Sequence, residues 1–309
     1  MNQKSETIVF FGSGPVAAES LRLLHQHATI EAVITKPRAA HHKGDVPVIS
    51  LAKELNLPVF TAINRRSLDE LFAAQPVRSR LAILIDFGII VSQEVINYFS
   101  LGILNSHFSL LPEWRGADPI TFSLLSGQHR TGVSLMVLTA GMDEGPLIAQ
   151  AEYIIEPTTT NPQLTADLIS LSDAQLQAVL PLYLEDKAIA ADQLEVSISD
   201  VAEPTYSRKL SKEDSRLDWY KPAIVLEREI RAFIEWPKSR ATFGALDVVV
   251  LRARILDQSG AAGSTTVIDK QPVVYCGSQA LVLERLKPAG KKEMTGEAFL
   301  AGYKNIFLS

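Results

Sequence analysis

Two polar residues, Asn105 and His107, lie two positions apart at the end of an apolar segment, 102–105, that predicts a β-strand. Alternate side chains of a strand point to the same face, so an extended chain allows both residues to address one reacting atom. Further along, Asp143 lies in the segment GMDEGP. The flanking glycines permit an unusual backbone there, which could return the carboxylate of Asp143 towards His107.

An amide, an imidazole and a carboxylate can together transfer an acyl group to an amine. The amide of Asn105 can donate a hydrogen bond to the oxyanion of a tetrahedral intermediate. His107 can accept a proton from the attacking amine and later help to protonate the leaving nitrogen. A carboxylate at Asp143 would orient the imidazole and stabilise its protonated form. Each of these residue types is more often structural than catalytic. From the spacing alone, an ordinary strand, loop and turn therefore remains the alternative.

Short apolar segments alternate with amphipathic ones in the first half of the chain. The strand-like segments are 7–11, 30–35, 57–60, 81–85 and 102–105, and the helical patterns lie near 17–25, 48–56, 67–74 and 92–99. This alternation predicts βαβ units and an α/β fold with a Rossmann-like, mostly parallel sheet. The β-branched segments 131–138 and 147–155 predict antiparallel strands that complete the sheet, and a long amphipathic helix is expected from 164 to about 187.

A polar, weakly patterned segment at 190–205 is expected to be a linker. We therefore predict a catalytic domain over 1–189 and a C-terminal domain over 206–309. The C-terminal part has a helical pattern at 223–233, followed by short strand-like segments and turns with glycine and proline. Several short strands in about a hundred residues predict a small, OB-like β-barrel.

The composition limits the class of protein. A length of 309 residues is comfortable for two domains, and a net charge of −5 is not that of a non-specific nucleic-acid binder. Any RNA contact must therefore use a local basic patch, and we expect no DNA partner. The single cysteine, Cys276, excludes an internal disulfide. Because no signal peptide or membrane-spanning segment is predicted either, we expect a cytoplasmic protein without a membrane partner.

The first turn has the spacing of a dinucleotide-binding fingerprint, Gly12-x-Gly14-x-x-Ala17. Such a site also needs an acidic residue near the end of the second strand, to bind the ribose hydroxyls. Here Lys36 follows that strand, and Glu31 lies at its beginning. The pattern therefore favours a tight strand-to-helix turn over a nicotinamide-dependent oxidoreductase.

The segment NSHFSLLPEWRGADPI, followed by GMDEG, resembles the active site of the formyltransferases that use 10-formyltetrahydrofolate. Three C-terminal segments, PTYSRKLSKEDSRLDW, IRAFIEWP and LKPAGKKEM, resemble the C-terminal half of the methionyl-tRNA formyltransferases. The resemblance covers nearly the whole chain, in the expected order. It implies transfer of a formyl group from 10-formyltetrahydrofolate, as cosubstrate, to the amino group of methionyl initiator tRNA. The initiator tRNA would then be the partner in translation initiation, with no metal, and we expect a monomer.

The resemblance also assigns site residues. It places Asn105, His107 and Asp143 at the catalytic positions. The residues implied in folate binding are Ser109, Leu110, Leu111 and Pro112 in one loop and Ile85, Asp86, Phe87, Gly88 and Ile89 in the loop that frames the pterin. The loop 35–47 corresponds to the segment that enters the acceptor end of tRNA. The basic residues expected to contact tRNA are Lys36, Arg38 and Lys43 in that loop and Arg208, Lys209, Lys287, Lys291 and Lys292 in the second domain.

The sequence departs from the family pattern at several site positions. Phe108 follows the histidine where a small residue or proline is usual, and Glu113 replaces a usual basic residue. Asp86 and Asp118 replace residues that are usually small. The departures at Phe108 and Asp118 leave open a tRNA-binding homologue with impaired catalysis. A second alternative keeps the chemistry and changes the amine: a formyltransferase acting on an amino sugar nucleotide.

Overall fold

The computed structural model describes residues 7–38, 44, 46–185, 189–199, 201 and 203–308. Its contacts divide the chain into two compact units. The first unit contains 1–119, 130–154 and 165–207, and the second contains 120–129, 155–164 and 208–309. The domain boundaries drawn from the sequence stay a prediction. Two short segments that precede the predicted linker, 120–129 and 155–164, belong by their contacts to the same unit as the C-terminal residues.

The first unit is built on a seven-stranded sheet. Its strands and two further short strands are β1 (Thr7–Gly12), β2 (Thr29–Thr35), β3 (Val59–Thr61), β4 (Leu81–Ile85), β5 (Ile103–His107), β6 (Arg115–Gly116), β7 (Arg130–Val137), β8 (Leu147–Ile154) and β9 (Tyr206–Ser207). The strand order is β3-β2-β1-β4-β5-β7-β8, with β6 pairing separately with β9. The first five strands of this order run parallel, and β7 and β8 are antiparallel. The predicted mostly parallel sheet with an antiparallel completion is confirmed.

Helices connect the parallel strands. They are α1 (Gly14–Leu24), α2 (Pro47–Glu54), α3 (Arg65–Ala73) and α4 (Gln93–Tyr98), and three more follow, α5 (Pro119–Ser126), α6 (Asn161–Leu184) and α7 (Gln193–Val196). Local signals set several of their starts. Asn64 and Ser67 form a capping box at α3, and the Ser92 side chain accepts from the N–H of Val95 at α4. Phe11 packs against Phe72, so the strand and helix patterns read from the sequence meet in one apolar core.

The carboxyl ends of β1, β4 and β5 lie side by side, since Gly12 pairs with Ile85 and Leu84 with Asn105. Ligands bind at this edge in open α/β sheets. The turn after β1 approaches closely: a Cβ on Gly12 would lie 2.6 Å from the Cβ of Ala17. The glycine at this position is therefore explained by packing.

The second unit contains an antiparallel sheet of six strands. Its elements are α8 (Ala223–Ala232), β10 (Arg240–Phe243), β11 (Leu246–Leu256), β12 (Thr265–Ile268), β13 (Gln271–Tyr275), β14 (Ala280–Pro288), β15 (Met294–Thr295) and α9 (Gly296–Phe307). The strand order is β10-β11-β14-β13-β12, with β15 paired to β14. The small OB-like β-barrel predicted from these short strands is confirmed as a curled antiparallel sheet.

Helix α9 was not predicted. The Thr295 side chain accepts from the N–H of Ala298 at its start, and Phe299 and Phe307 are buried in the core of the second unit. These aromatic residues recur with Tyr303 at intervals of four, which is a helical period. In the described residues, no helix has both the length and the apolar character needed to cross a membrane.

Candidate active site

The three residues proposed for catalysis lie together at the carboxyl end of β5. Asn105 and His107 are 5% and 7% exposed. The Nδ2 of Asn105 donates to Oδ1 of Asp143 over 3.3 Å, and the Nδ1 of His107 lies 3.7 Å from Oδ2 of the same carboxylate. The structure therefore brings together an amide, an imidazole and a carboxylate, as the sequence predicted.

The orientation of the His107 ring follows from its second nitrogen. Its Nε2 lies 2.9 Å from the carbonyl oxygen of Trp114. A carbonyl oxygen only accepts, so Nε2 carries a proton in this contact. The lone pair of a neutral ring then lies on Nδ1, facing Asp143. At 3.7 Å this pair is too far apart for a direct hydrogen bond, which leaves Nδ1 available to accept a proton from a substrate.

The loop that carries Asp143 has a left-handed backbone, with φ of 50° at this residue. The N–H of Gly116 donates to Oδ2 of Asp143 over 2.8 Å. A Cβ on Gly145 would lie only 1.9 Å from the carbonyl oxygen of Val137. The glycine thus allows the loop to approach β7, and this approach brings the carboxylate to His107.

A residue that the sequence did not single out, Gln193, lies beneath this loop and is 2% exposed. Its Nε2 donates to the carbonyl oxygens of Asp143 (2.9 Å) and Gly145 (2.8 Å). Its Oε1 accepts from Nη2 (2.7 Å) and Nε (3.2 Å) of Arg115. Gln193 falls in the segment predicted to be a linker, and no pattern there distinguished it from its polar neighbours.

The residues from Ser109 to Pro112, predicted to bind folate, are buried. The hydroxyl of Ser134 donates to the carbonyl oxygen of Ser109 over 2.7 Å and accepts from the N–H of Leu111 over 2.9 Å. Leu110 packs over Gly132, where a Cβ would lie 2.5 Å from its Cδ2. The side chains of Leu110 and Leu111 thus belong to the protein core, and a role of this loop in folate binding stays a prediction.

The chain segment at β9 closes on the loop that follows β5. Strand β9 pairs in parallel with β6, so that Arg115 lies opposite Tyr206 and Gly116 opposite Ser207. A Cβ on Gly116 would lie 2.5 Å from the carbonyl oxygen of Ser207. This contact therefore requires glycine at the position whose N–H holds Asp143.

The segment predicted to frame the pterin, 85–89, follows β4. Ile85 and Phe87 are buried, whereas Asp86 and Gly88 are exposed and Ile89 is partly buried. Asp86 and Gly88 have left-handed backbones, with φ of 49° and 64°. The buried side chains of Ile85 and Phe87 thus anchor the segment, while Asp86 and Gly88 are exposed.

Two acidic residues that depart from the family pattern, Asp86 and Glu113, differ in their surroundings. Desolvation by the surrounding protein raises the pKa of Asp86 to about 7; Lys36 opposes the shift and Asp118 adds to it. Asp86 is nevertheless exposed at its surface. Its carboxyl is therefore surrounded by many protein atoms and still accessible to solvent at the edge of the sheet. Glu113 is buried, and its carboxylate accepts a hydrogen bond from the hydroxyl of Ser199.

The residues of the 35–47 loop that are predicted to contact tRNA differ in their exposure and in their hydrogen-bond partners. Lys36 is partly buried, and its ammonium donates to the carbonyl oxygen of Gly88 over 2.6 Å. Arg38 is exposed and donates to the carbonyl oxygen of Gly44 over 2.7 Å. Lys43 lies outside the described residues.

In the second unit, the five predicted basic residues are exposed: Arg208, Lys209, Lys287, Lys291 and Lys292. Arg208 forms an ion pair with Asp214, and this hydrogen-bonded guanidinium holds the pKa of the Asp214 carboxyl well below its usual range. The charge of Arg208 is therefore largely engaged within the protein. The exposed lysines are better placed to contact a phosphate.

A cavity of about 740 Å³ in the second unit lies against α8 and β11, and no residue of the Asn105–His107–Asp143 group lines it. Across the described part of the chain, no group of three or more His, Cys, Asp and Glu side chains is arranged to hold a metal ion. The candidate active site therefore rests on the side-chain geometry at the carboxyl end of β5.

Comparison with known families agrees with this geometry. Residues 6–180 match the model of the formyl transferase family, and residues 209–304 match the model of the formyl transferase C-terminal domain. The chain belongs to the formyl transferase family.

Curated relatives named methionyl-tRNA formyltransferase include two from Pseudomonas species. The one from Pseudomonas fluorescens is 37% identical over 295 residues, which cover 92% of this chain and 90% of the relative. The one from Pseudomonas putida is 36% identical over 292 residues and covers 92% of each chain. A crystal structure of an N-formyltransferase from Helicobacter canadensis, in complex with folinic acid and dTDP-3-aminofucose, has a TM-score of 0.67 and 15% identity, covering 90% of this chain and 98% of that one. This last likeness concerns the fold.

Proposed function

We propose that this protein transfers a formyl group from 10-formyltetrahydrofolate to the amino group of methionyl initiator tRNA, in support of translation initiation. The observation that carries the proposal is the placement of Asn105 and His107 around one carboxylate. Asp143 accepts a hydrogen bond from Asn105 over 3.3 Å, and its Oδ2 lies 3.7 Å from Nδ1 of His107. Similarity across both family domains to proteins named methionyl-tRNA formyltransferase supports this choice of acceptor.

In the first step, the neutral amine attacks the carbonyl carbon of the formyl group on N10 of the donor. The new C–N bond places negative charge on the formyl oxygen. One N–H of the Asn105 amide is engaged by Asp143, and the other can donate to this oxyanion. Nδ1 of His107 accepts the proton that the amine loses, and Asp143 stabilises the resulting imidazolium.

In the second step, the bond between the formyl carbon and N10 breaks. The imidazolium of His107 returns its proton towards the leaving nitrogen, so the enzyme regains its starting protonation state. The products are formylmethionyl-tRNA and tetrahydrofolate. No covalent bond to the protein forms, because the acceptor amine is the nucleophile.

For the donor, we propose a site between the segment 85–89 and the loop from Ser109 to Pro112. Backbone groups can recognise a flat heterocycle through hydrogen bonds, while buried side chains fix the backbone. Ile85 and Phe87 supply that anchoring in the first segment.

For the acceptor, we propose that phosphates of the tRNA contact exposed basic residues. Arg38 and Lys43 would serve in the 35–47 loop, and Lys209, Lys287, Lys291 and Lys292 in the second unit. Lys36 and Arg208 belong to the same proposal, although both have partners within the protein. Because the net charge is −5, such binding would depend on local patches and weaken steeply with salt. We also propose that the protein acts in the cytoplasm, as a monomer.

The proposal is tested by measuring formyl transfer from 10-formyltetrahydrofolate to methionyl initiator tRNA, beside free amino acids and amino sugar nucleotides. Transfer to the tRNA alone supports the proposal. Transfer to an amino sugar nucleotide instead would retain the chemistry and overturn the acceptor. No transfer to any acceptor by folded protein would favour a homologue with impaired catalysis.

A further inference from the structure

The chain after α6 returns to the active site as a strap, defined here as residues 189–199. Ala191 and Leu147 exchange two backbone hydrogen bonds, of 2.8 and 2.9 Å, beside the start of β8. The hydroxyl of Ser197 donates to the carbonyl oxygen of Leu111. The strap is therefore attached on both sides of Gln193.

Both ends of the buried Gln193 amide have partners. The nitrogen donates to two carbonyl oxygens of the catalytic loop, those of Asp143 and Gly145. The oxygen accepts from the guanidinium of Arg115, which is itself 8% exposed. Buried amides of this kind are costly to leave unpaired, so the contacts hold the two segments in a defined relation.

These two segments also set the position of the catalytic carboxylate. One is the loop of Asp143, whose left-handed backbone needs support from its surroundings. The other segment contains Arg115 and, directly after it, Gly116. The N–H of Gly116 donates to Oδ2 of Asp143 over 2.8 Å. Gln193 thus connects the backbone that carries the carboxylate to the backbone that binds it.

We infer that Gln193 is a positioning residue that holds the Asp143 carboxylate against Asn105 and His107. The inference rests on the proposed function, because Gln193 acts only through Asp143. Its loss would release the carbonyl oxygens of Asp143 and Gly145 and leave the Arg115 guanidinium without its amide partner. A displacement of about 1 Å at a catalytic group can cost roughly 100-fold in rate.

The first test uses Gln193→Met, which keeps the side-chain volume and removes the hydrogen bonds. We expect kcat for formyl transfer to fall about 10- to 100-fold, while KM for the donor and for the tRNA changes less than about threefold. In an Asp143→Asn background, the same substitution is expected to cost less than about threefold further, because the residue on which it acts is already altered. If the fold-losses in kcat of the two single variants simply multiply in the double variant, the positioning role is overturned.

The second test uses Gln193→Glu, whose carboxylate retains acceptors for Arg115 but has no N–H for the two carbonyl oxygens. We expect kcat at least as low as for Gln193→Met and a melting temperature below that of the unaltered protein, because a carboxylate oxygen would then face the two carbonyl oxygens that the amide nitrogen now binds. A kcat close to that of the unaltered protein would show that the contacts to the catalytic loop are not needed.

Gln175→Ala is the matched control. Gln175 is also buried, on α6, and its amide oxygen, oriented to satisfy both ends of the group, accepts from the N–H of Ala151. We expect it to lower the melting temperature and leave kcat close to that of the unaltered protein. If the unaltered protein transfers no formyl group, the proposed function fails. If it does and the Gln193 variants behave like Gln175→Ala, this inference alone fails.

Discussion

The Nδ1 of His107 faces Oδ2 of Asp143 across 3.7 Å, while its Nε2 is fixed by the carbonyl oxygen of Trp114. The spacing leaves Nδ1 without a direct hydrogen bond to the carboxylate, but near enough for a protonated ring to be stabilised by it. In this arrangement the imidazole can take up and return a proton without changing its orientation.

Replacing His107 by Ala or Asp143 by Asn should reduce kcat by about 100- to 10,000-fold, the usual contribution of general acid–base assistance. Melting curves should show that both variants remain folded. Single-turnover formyl transfer provides the measurement, and near-normal rates in both variants would remove the assigned roles.

Replacing Asn105 by Ala should cost about 100- to 1,000-fold in kcat, because a donor to the developing oxyanion is lost. KM for both substrates should change little, since the donor acts in the transition state. Steady-state kinetics with each substrate varied in turn would reveal the split. A rise in KM with kcat unchanged would instead indicate a binding residue.

Asp86 should make folding stability depend on pH. The pKa of its carboxyl is raised to about 7 in the folded protein, above the ordinary value of 3.8, so the folded state binds more protons between these values. The contribution of Asp86 to the free energy of unfolding therefore falls as the pH rises through this window. Asp86→Asn should melt at a higher temperature than the unaltered protein near pH 8, and the gain should vanish below about pH 4. A gain that does not change with pH would contradict this origin.

Exposed lysines near β15 should contribute to tRNA binding. Replacing Lys291 and Lys292 together by Ala should raise KM for methionyl-tRNA, leave KM for the folate donor unchanged and reduce the dependence of tRNA binding on salt. The comparison variant is Lys53→Ala, which removes an exposed lysine from α2 in the first unit. Equal effects of the two changes would argue against a specific contact.

Cys276 should be unreactive in the folded protein. It is 2% exposed, and burial raises the pKa of its thiol to about 11. Because the thiolate is the nucleophile, alkylation near pH 8 should be slow in the folded state and fast in denaturant. Mass spectrometry of iodoacetamide-treated protein measures both rates, and rapid labelling without unfolding would show that the site opens.

Local patterns in the sequence determined much of this structure. Apolar strand segments and amphipathic helices predicted the parallel sheet, because side-chain periodicity of this kind is a property of neighbouring residues. The positions of Asn105 and His107 on one strand followed in the same way. Helix α9 was missed even though Phe299, Tyr303 and Phe307 recur at a helical interval, because the surrounding segments suggested only strands and turns.

Only the tertiary structure decided how Asp143 is held. The Gln193 amide donates to the carbonyl oxygen of a residue 50 positions earlier, from a segment whose polar composition predicted a linker. Likewise, the side chains of Leu110 and Leu111 proved to lie in the core. A hydrogen bond between distant segments depends on where the folded chain brings them together, and a single sequence carries no periodic signal for such a contact.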